Sequence, residues 1–371
     1  YEMLSGDWSS DVCSSDLRVQ RALYASKGVT VYRGKVTNTT GGRRSEPKRG
    51  ETVVIREVMD ECTPRVAKII SKLLSIKHPN IVRTYIGATD NDRCCHRLLQ
   101  AWVGDRSLAS AYLQEEGGQL PDNFTVADIA VQLAKAVEYL HTCGIIHCDI
   151  TPHNVLLTGN GTPVLSDFGI ADLSDEVSGR QGHSPGYAPL ELYPHDEIPA
   201  EISYLVPAIG QHTDRYMLGS TLYAVACGHD GRNKHIVTQT PVLVPPVDRA
   251  LYEAGLGGTP QPPLAAVRRD IDPNLAEWIE TLLSISPSAR YKSDADMVKR
   301  INKLSKRVGK RPAVNLPRAR WLKNLVKFSA IAFAILILVF LYRHSYTLKN
   351  SPKNIPTFIV TDAAGLLGKN E

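Results

Sequence analysis

The stretch His147-Cys-Asp-Ile-Thr-Pro-His-Asn154, followed thirteen residues later by Asp167-Phe-Gly169, constrains this chain more than any other feature. One loop, one strand pair and one turn carry Asp149, Asn154 and Asp167, so two carboxylates and an amide fall in a single strand-and-loop segment. Polar groups gathered between short β-forming runs such as Val155-Leu-Leu157 and Val164-Leu165 mark the edge of a site more readily than a packed core.

The pattern continues on both sides. Tyr139-Leu-His141 through Ile146 closes a helical stretch before the loop, and Gly186-Tyr-Ala-Pro-Leu-Glu191 follows it. Asp214-Arg-Tyr-Met-Leu-Gly219 opens an apolar run, and Ser286-Pro-Ser-Ala-Arg290 comes late in the chain. In this order the motifs resemble those of the protein kinase superfamily, over roughly residues 22 to 304.

The resemblance implies an α+β, bilobal protein kinase-like fold, with a small β-rich N-lobe at 18–103 and a large helical C-lobe at 104–306. It implies ATP and Mg2+ as cofactors and a protein as substrate or docking partner. Asp149 then positions the accepting hydroxyl, while Asn154 and Asp167 are the metal ligands. Arg56 is the phosphate contact, Gly28 belongs to the loop that closes over the phosphates, and Ala101 and Val103 form the hinge side of the cleft. Glu191 and Arg290 become a structural ion pair, and His147 and Phe168 pack the loop.

Local patterning agrees with that division. Val29–Tyr32 and Thr52–Ile55 are β-rich, and Pro64 opens a helical stretch with Val66, Ile69, Ile70, Leu73 and Leu74 at helical spacing. Val126 to Leu140 reads as an amphipathic helix burying Ile129, Leu133, Val137 and Leu140, and Leu218 to Ala226 as a buried central helix. The Pro-rich segment Tyr193 to Gln211 is expected to be a surface insertion near the peptide-binding side.

Five departures from the family pattern bear on chemistry. Tyr24-Ala-Ser-Lys-Gly28-Val-Thr-Val31 offers a single Gly where several would let backbone close over phosphates. Val53-Val-Ile-Arg56 carries Arg where a compact ammonium is the rule, an exchange that keeps charge but not shape. Ile69 stands where the resemblance places its carboxylate partner. Cys148 replaces the Arg that would grip a phosphate on Ser174, Ser178 or Ser184, and Thr151 replaces a Lys that would touch the γ-phosphate. Two readings follow: a slow, membrane-anchored Ser/Thr kinase, or a pseudokinase that holds nucleotide or docks partners without phosphotransfer.

Residues 1–17 are set apart, because Asp7 to Leu17 reads back codon by codon as a sequencing adapter and gives a non-native leader. The net charge of +5 is uneven: nine Lys and Arg between Lys303 and Lys327 exceed it, so the globular part is mildly acidic and nucleic acid is not an expected partner. Seven of the nine fall in a basic juxtamembrane linker, 307–327. Phe328 to Tyr342 has no charge, and with Leu325 and Val326 it spans about 27 Å as a helix, near the roughly 30 Å hydrocarbon core. It is therefore expected to be a transmembrane helix, 328–342, flanked by Trp321 and Tyr342 and followed by a short tail, 343–371. Six Lys or Arg precede the run within twenty residues and three follow, which places the catalytic domain in the cytosol. Seven scattered cysteines without C-x-x-C spacing suit a reducing compartment, and Cys94-Cys95-His96 lacks metal-ligand spacing.

Overall fold

The computed structural model describes residues 17–308 apart from 27–28, 39–46, 60–63, 91–94, 114–120, 169–170, 175–183, 185 and 229–242. Gly28, Ser178, residues 1–16 of the leader and the apolar run Phe328–Tyr342 lie outside the described residues. Among the described residues no helix is long and apolar enough to cross a membrane.

Five antiparallel strands build the small lobe: β1 (Leu17–Ser26), β2 (Val29–Val36), β3 (Thr52–Met59), β4 (Thr84–Asp90) and β5 (Cys95–Ala101), in the order β1-β2-β3-β5-β4. Strand alternation sorts the side chains of β3. Val53 and Ile55 enter a core with Leu17, Val36 and Leu99, while Val54 and Arg56 line the interlobe cleft. Helix α1 (Pro64–Ser75) packs on β4 and turns Ile69, Ile70 and Leu73 inward.

The large lobe runs through β6 (Arg106–Ser107), α2 (Leu108–Tyr112), α3 (Asn123–Thr142), β7 (Ile145–Ile146), β8 (Val155–Leu157), β9 (Pro163–Leu165) and β10 (Asp172–Leu173). It ends in α4 (Gln211–Cys227), α5 (Pro246–Glu253), α6 (Leu264–Val267), α7 (Pro273–Leu282) and α8 (Asp294–Val308). Asp122 caps α3 by accepting from the Thr125 N–H at 2.7 Å, and Ile129, Leu133, Val137 and Leu140 are all buried against α4 and α8. Asp272 caps α7, whose first residue is Pro273. A Cβ on Gly219 would lie 2.6 Å from Leu282 Cβ, so glycine allows α4 and α7 their close approach.

A second connection besides the hinge joins the lobes. Asn80 Nδ2 donates to Pro163 O and to Gln132 Oε1, each at 2.8 Å. Val82 N donates to Leu165 O, and Leu165 N donates to Asn80 O, both at 2.8 Å. The segment after α1 is thus fastened to β9 and α3.

Three expectations need correction. Leu17, assigned to the leader, is the first residue of β1: it pairs with Val36 and is buried in the small-lobe core. Leu74, at helical spacing with the apolar residues of α1, is 39 % exposed, because the helix offers the core the stripe of Ile69, Ile70 and Leu73. Residues 193–211 are not merely a surface insertion, since they form short 3-10 turns that bury Tyr193, Ile198 and Ile202 in the main core while Tyr204 faces solvent.

Candidate active site

Strands β8 and β9 form a hairpin, with Val155 opposite Leu165 and Leu157 opposite Pro163, and this places the loop before β8 beside the residues after β9. Asn154 and Asp167 sit at those two hairpin ends. The cleft they border has a volume of about 860 Å3, and its walls include Arg56, Asp149, Asn154, Asp167, Ala101 and Val103. Six of the seven residues singled out on sequence therefore share one cavity; the seventh, Gly28, lies outside the described residues.

Asp149 is held on both oxygens. Asn154 Nδ2 donates to its Oδ2 at 2.6 Å and to its backbone oxygen at 2.9 Å, and Ser184 Oγ donates to Oδ1 at 2.7 Å. Ser184 was singled out as a possible phosphorylation site; the structure makes it the hydroxyl partner of Asp149. Asp149 N–H also donates to His147 Nδ1 at 3.2 Å, while His147 Nε2 lies 3.0 Å from Ser166 O. The tautomer with its proton on Nε2 satisfies both bonds. His147 is fully buried and packs on Phe168 with ring centroids 4.7 Å apart, as expected of packing residues.

Sequence reading gave Asp214 no role, yet it anchors the loop. Its Oδ2 accepts from His147 N at 2.7 Å and its Oδ1 from Cys148 N at 2.8 Å. Thr221 Oγ1 adds a bond to Ile150 O at 2.8 Å. These bonds hold Cys148 at φ 63, a left-handed conformation that costs a non-glycine residue roughly 1–3 kcal/mol. Asp167 is the other such non-glycine residue among the described ones, at φ 65, so backbone strain gathers at the two ends of the site.

Beneath the loop, His141 bridges two buried carboxylates: Nε2 lies 2.9 Å from Asp214 Oδ2 and Nδ1 lies 2.8 Å from Asp294 Oδ2. Burial opposes its charge, but the bonds and fields of the two carboxylates outweigh it and raise its pKa to about 9. Arg215 Nε completes the cluster at 2.7 Å from Asp294 Oδ1. Further out, the Glu191–Arg290 pair is present at 3.2 Å with both side chains buried, and Thr213 Oγ1 donates to the same Glu191 oxygen.

Arg56 lines the cleft from β3. Its Nη2 meets Asp167 Oδ1 at 2.5 Å, so in this structure the guanidinium contacts the second candidate metal ligand, while Ile69 lies in the large hydrophobic core. At the hinge, Ala101 N–H is already given to Arg83 O at 2.9 Å, so Ala101 does not offer that group to the cleft. Arg33 lies over the Trp102 ring at 4.5 Å. A Cβ on Gly104 would come within 2.7 Å of Leu157 O, which requires glycine where the chain leaves the hinge. Val31, Val54 and Leu23 from the small lobe and Leu156 from the large lobe give the cleft apolar walls.

The donor set suits the family's cofactors. An amide and a carboxylate at the hairpin ends are hard oxygen ligands of the kind magnesium takes, and the apolar walls match the flat faces of a purine. Cys95 and His96 are both buried in β5, and no metal-binding group of three or more His, Cys, Asp or Glu occurs among the described residues.

Comparison with known proteins gives the same assignment. The protein kinase domain model matches residues 46–299, more than half the chain. A serine/threonine-protein kinase of Saccharomyces cerevisiae is 33 % identical over 223 residues, covering 58 % of this chain and 42 % of the relative. The serine/threonine-protein kinase RUNKEL of Arabidopsis thaliana is 26 % identical over 277 residues, 73 % of this chain and 17 % of its own. CBL-interacting protein kinase 4 of Oryza sativa is 30 % identical over 189 residues, 48 % and 39 %. The chain spans less than half the length of these relatives. With the hairpin, the Asp149 loop and the buried Glu191–Arg290 pair in the arrangement that the motif order implies, and with the domain model matching along most of its length, this chain belongs to the protein kinase family.

Proposed function

We propose that this chain transfers the γ-phosphoryl group of ATP to a serine or threonine hydroxyl of a protein. The observation that carries the reading is the doubly held Asp149 carboxylate in the same cleft as Asn154 and Asp167. An accepting hydroxyl takes the place on Asp149 Oδ1 that Ser184 Oγ now fills, while Asn154 keeps Oδ2 fixed. The hydroxyl oxygen bonds to the γ-phosphorus as the bond to the β-phosphate oxygen breaks, ADP leaves, and the proton passes to Asp149. Magnesium bound by Asn154 and Asp167 would neutralise charge on the phosphates.

Transfer is slow on this reading. Thr151 supplies no cation where a Lys would touch the γ-phosphate, and a missing transition-state donor costs on the order of 10² to 10³ in rate. Radiolabelled transfer by the full chain to a generic protein acceptor tests it: transfer is detectable, Asp149→Asn removes it, and Arg56→Lys raises it. Absence of transfer in both the native chain and Arg56→Lys would leave the docking-module reading in its place. A membrane location rests on the run Phe328–Tyr342 and its basic flank; the full chain is expected in the carbonate-resistant membrane fraction, and recovery in the soluble fraction would end that part of the proposal.

A further inference from the structure

Gln100 takes no part in the chemistry described above, yet it borders the cleft from β5 while being only 5 % exposed. It sits opposite Val54 of β3 and opposite Thr84 of β4. Directly paired residues turn their side chains to one face, so the amide lies on the cleft side of the sheet with Val54. Gln100 Nε2 donates to Thr84 Oγ1 at 3.1 Å, and the Thr84 side chain is buried as well. Among the described residues this is the one hydrogen bond that the Gln100 amide makes, which leaves its oxygen to whatever fills the cavity. Asn154, the other side-chain amide in the wall, already gives its Nδ2 to Asp149. Val31, Val54, Val82 and Leu156 in the same wall are apolar and offer no polar readout.

A buried amide with one polar end unpaired is costly, so the site favours a ligand that supplies the missing partner. The amide has a donor end and an acceptor end, and the Thr84 hydroxyl can donate or accept. The bond between them therefore survives when the amide turns over. In the observed orientation Nε2 is on Thr84 Oγ1 and the amide oxygen accepts from the ligand. In the reverse orientation the Thr84 hydroxyl donates to Gln100 Oε1, and the amide nitrogen donates to the ligand. Adenine and guanine differ in that sense at one shared position, where adenine carries an amino donor and guanine a carbonyl acceptor. Each base suits one orientation of Gln100. A side chain with a single fixed role would reject one of the two, because donor would face donor or acceptor would face acceptor.

We infer that Gln100 pairs with the exocyclic group of a purine nucleotide in either sense, so that the cleft takes GTP as well as ATP. The inference rests on the nucleotide-cleft reading above and widens the class of phosphoryl donor that the site accepts.

The test is calorimetric titration of the full chain, in the presence of Mg2+, with non-hydrolysable triphosphates of adenosine, of guanosine and of purine riboside, whose base has no exocyclic group. In the native chain the adenosine and guanosine forms bind within about tenfold of each other, and each binds on the order of tenfold more tightly than the purine riboside form. Gln100→Leu removes the amide and keeps an apolar side chain of similar size, so both preferences shrink to about twofold or less. Gln100→Met keeps the unbranched shape and gives the same result, and thermal melting establishes that the variants are folded.

A guanosine form that binds no better than the purine riboside form would overturn the two-way pairing. Preferences that persist unchanged in the folded Gln100 variants would assign the contact to another group. Either result overturns the inference while adenosine binding stands. Failure of the native chain to bind any of the three would overturn the nucleotide reading itself, and this inference with it.

Discussion

Replacing Asp214 by Asn removes one oxygen from the carboxylate that holds the Asp149 loop, and the structure sets the size of the effect. Asp214 accepts from His147 N, Cys148 N and His141 Nε2 at 2.7, 2.8 and 2.9 Å in a fully buried position. An amide in its place can present one oxygen to the His147 and His141 side, leaving the Cys148 N–H facing another donor. An unpaired buried N–H costs roughly 1–3 kcal/mol, and the two surviving bonds lose their charge assistance at about 1 kcal/mol each. Asp214→Asn should therefore lower unfolding stability by about 3–5 kcal/mol. Cys148 also loses the bond that holds it at positive φ, so the loop relaxes and phosphoryl transfer falls with stability. Urea unfolding followed by tryptophan fluorescence reads the first effect and a transfer assay the second. A loss below about 1 kcal/mol would refute the bookkeeping of donors, because no arrangement of one amide satisfies three of them. Asp294→Asn is the control: it touches His141 and Arg215 but not the loop backbone, so stability falls without a matching fall in transfer per folded molecule.

Two more outcomes follow. Burial opposes the charge of His141, but the hydrogen bonds and fields of Asp214 and Asp294 outweigh it and raise the folded pKa to about 9 against an ordinary 6.5. Its contribution, roughly 3 kcal/mol, is fully present below about pH 6.5 and is lost as pH rises through 9, and unfolding free energy measured from pH 6 to 10 should show that decline. A flat profile in the native chain, or the same slope in His141→Gln, would remove this assignment. Arg290→Met leaves Glu191 buried beside Thr213 and a half-buried His212, and should cost about 3–5 kcal/mol in the same unfolding assay; a cost within 1 kcal/mol would show that His212 takes over the pairing.

The sequence carried most of the frame because its signals are local. The spacing of Ile129, Leu133, Val137 and Leu140 marks α3, and the hairpin that joins Asn154 to Asp167 spans only thirteen residues. Legibility ended where partners are distant in the chain. Asp214 lies 66 residues from Cys148, and Ser184 lies 35 from Asp149, so neither bond has a signature in sequence spacing. Arg56 was recognisable as a departure, but its partner was not, since Asp167 lies 111 residues further along the chain. Residues 193–211 misled because proline and polar content mark turns, and turns can still carry Ile198 and Ile202 inward.

The fastening at Asn80 has a mechanical consequence. A body attached to another at one flexible point can swivel in every direction, but attachment at two points leaves a single axis. The hinge at Ala101–Asp105 is one backbone attachment and the bonds of Asn80, Val82 and Leu165 are a second, which the Lys72 Nζ bond to Cys143 O at 2.7 Å reinforces at the end of α1. Opening of the mouth should therefore pivot about the line through both, swinging the β1–β2 end widely while the trailing end of α1 hardly travels.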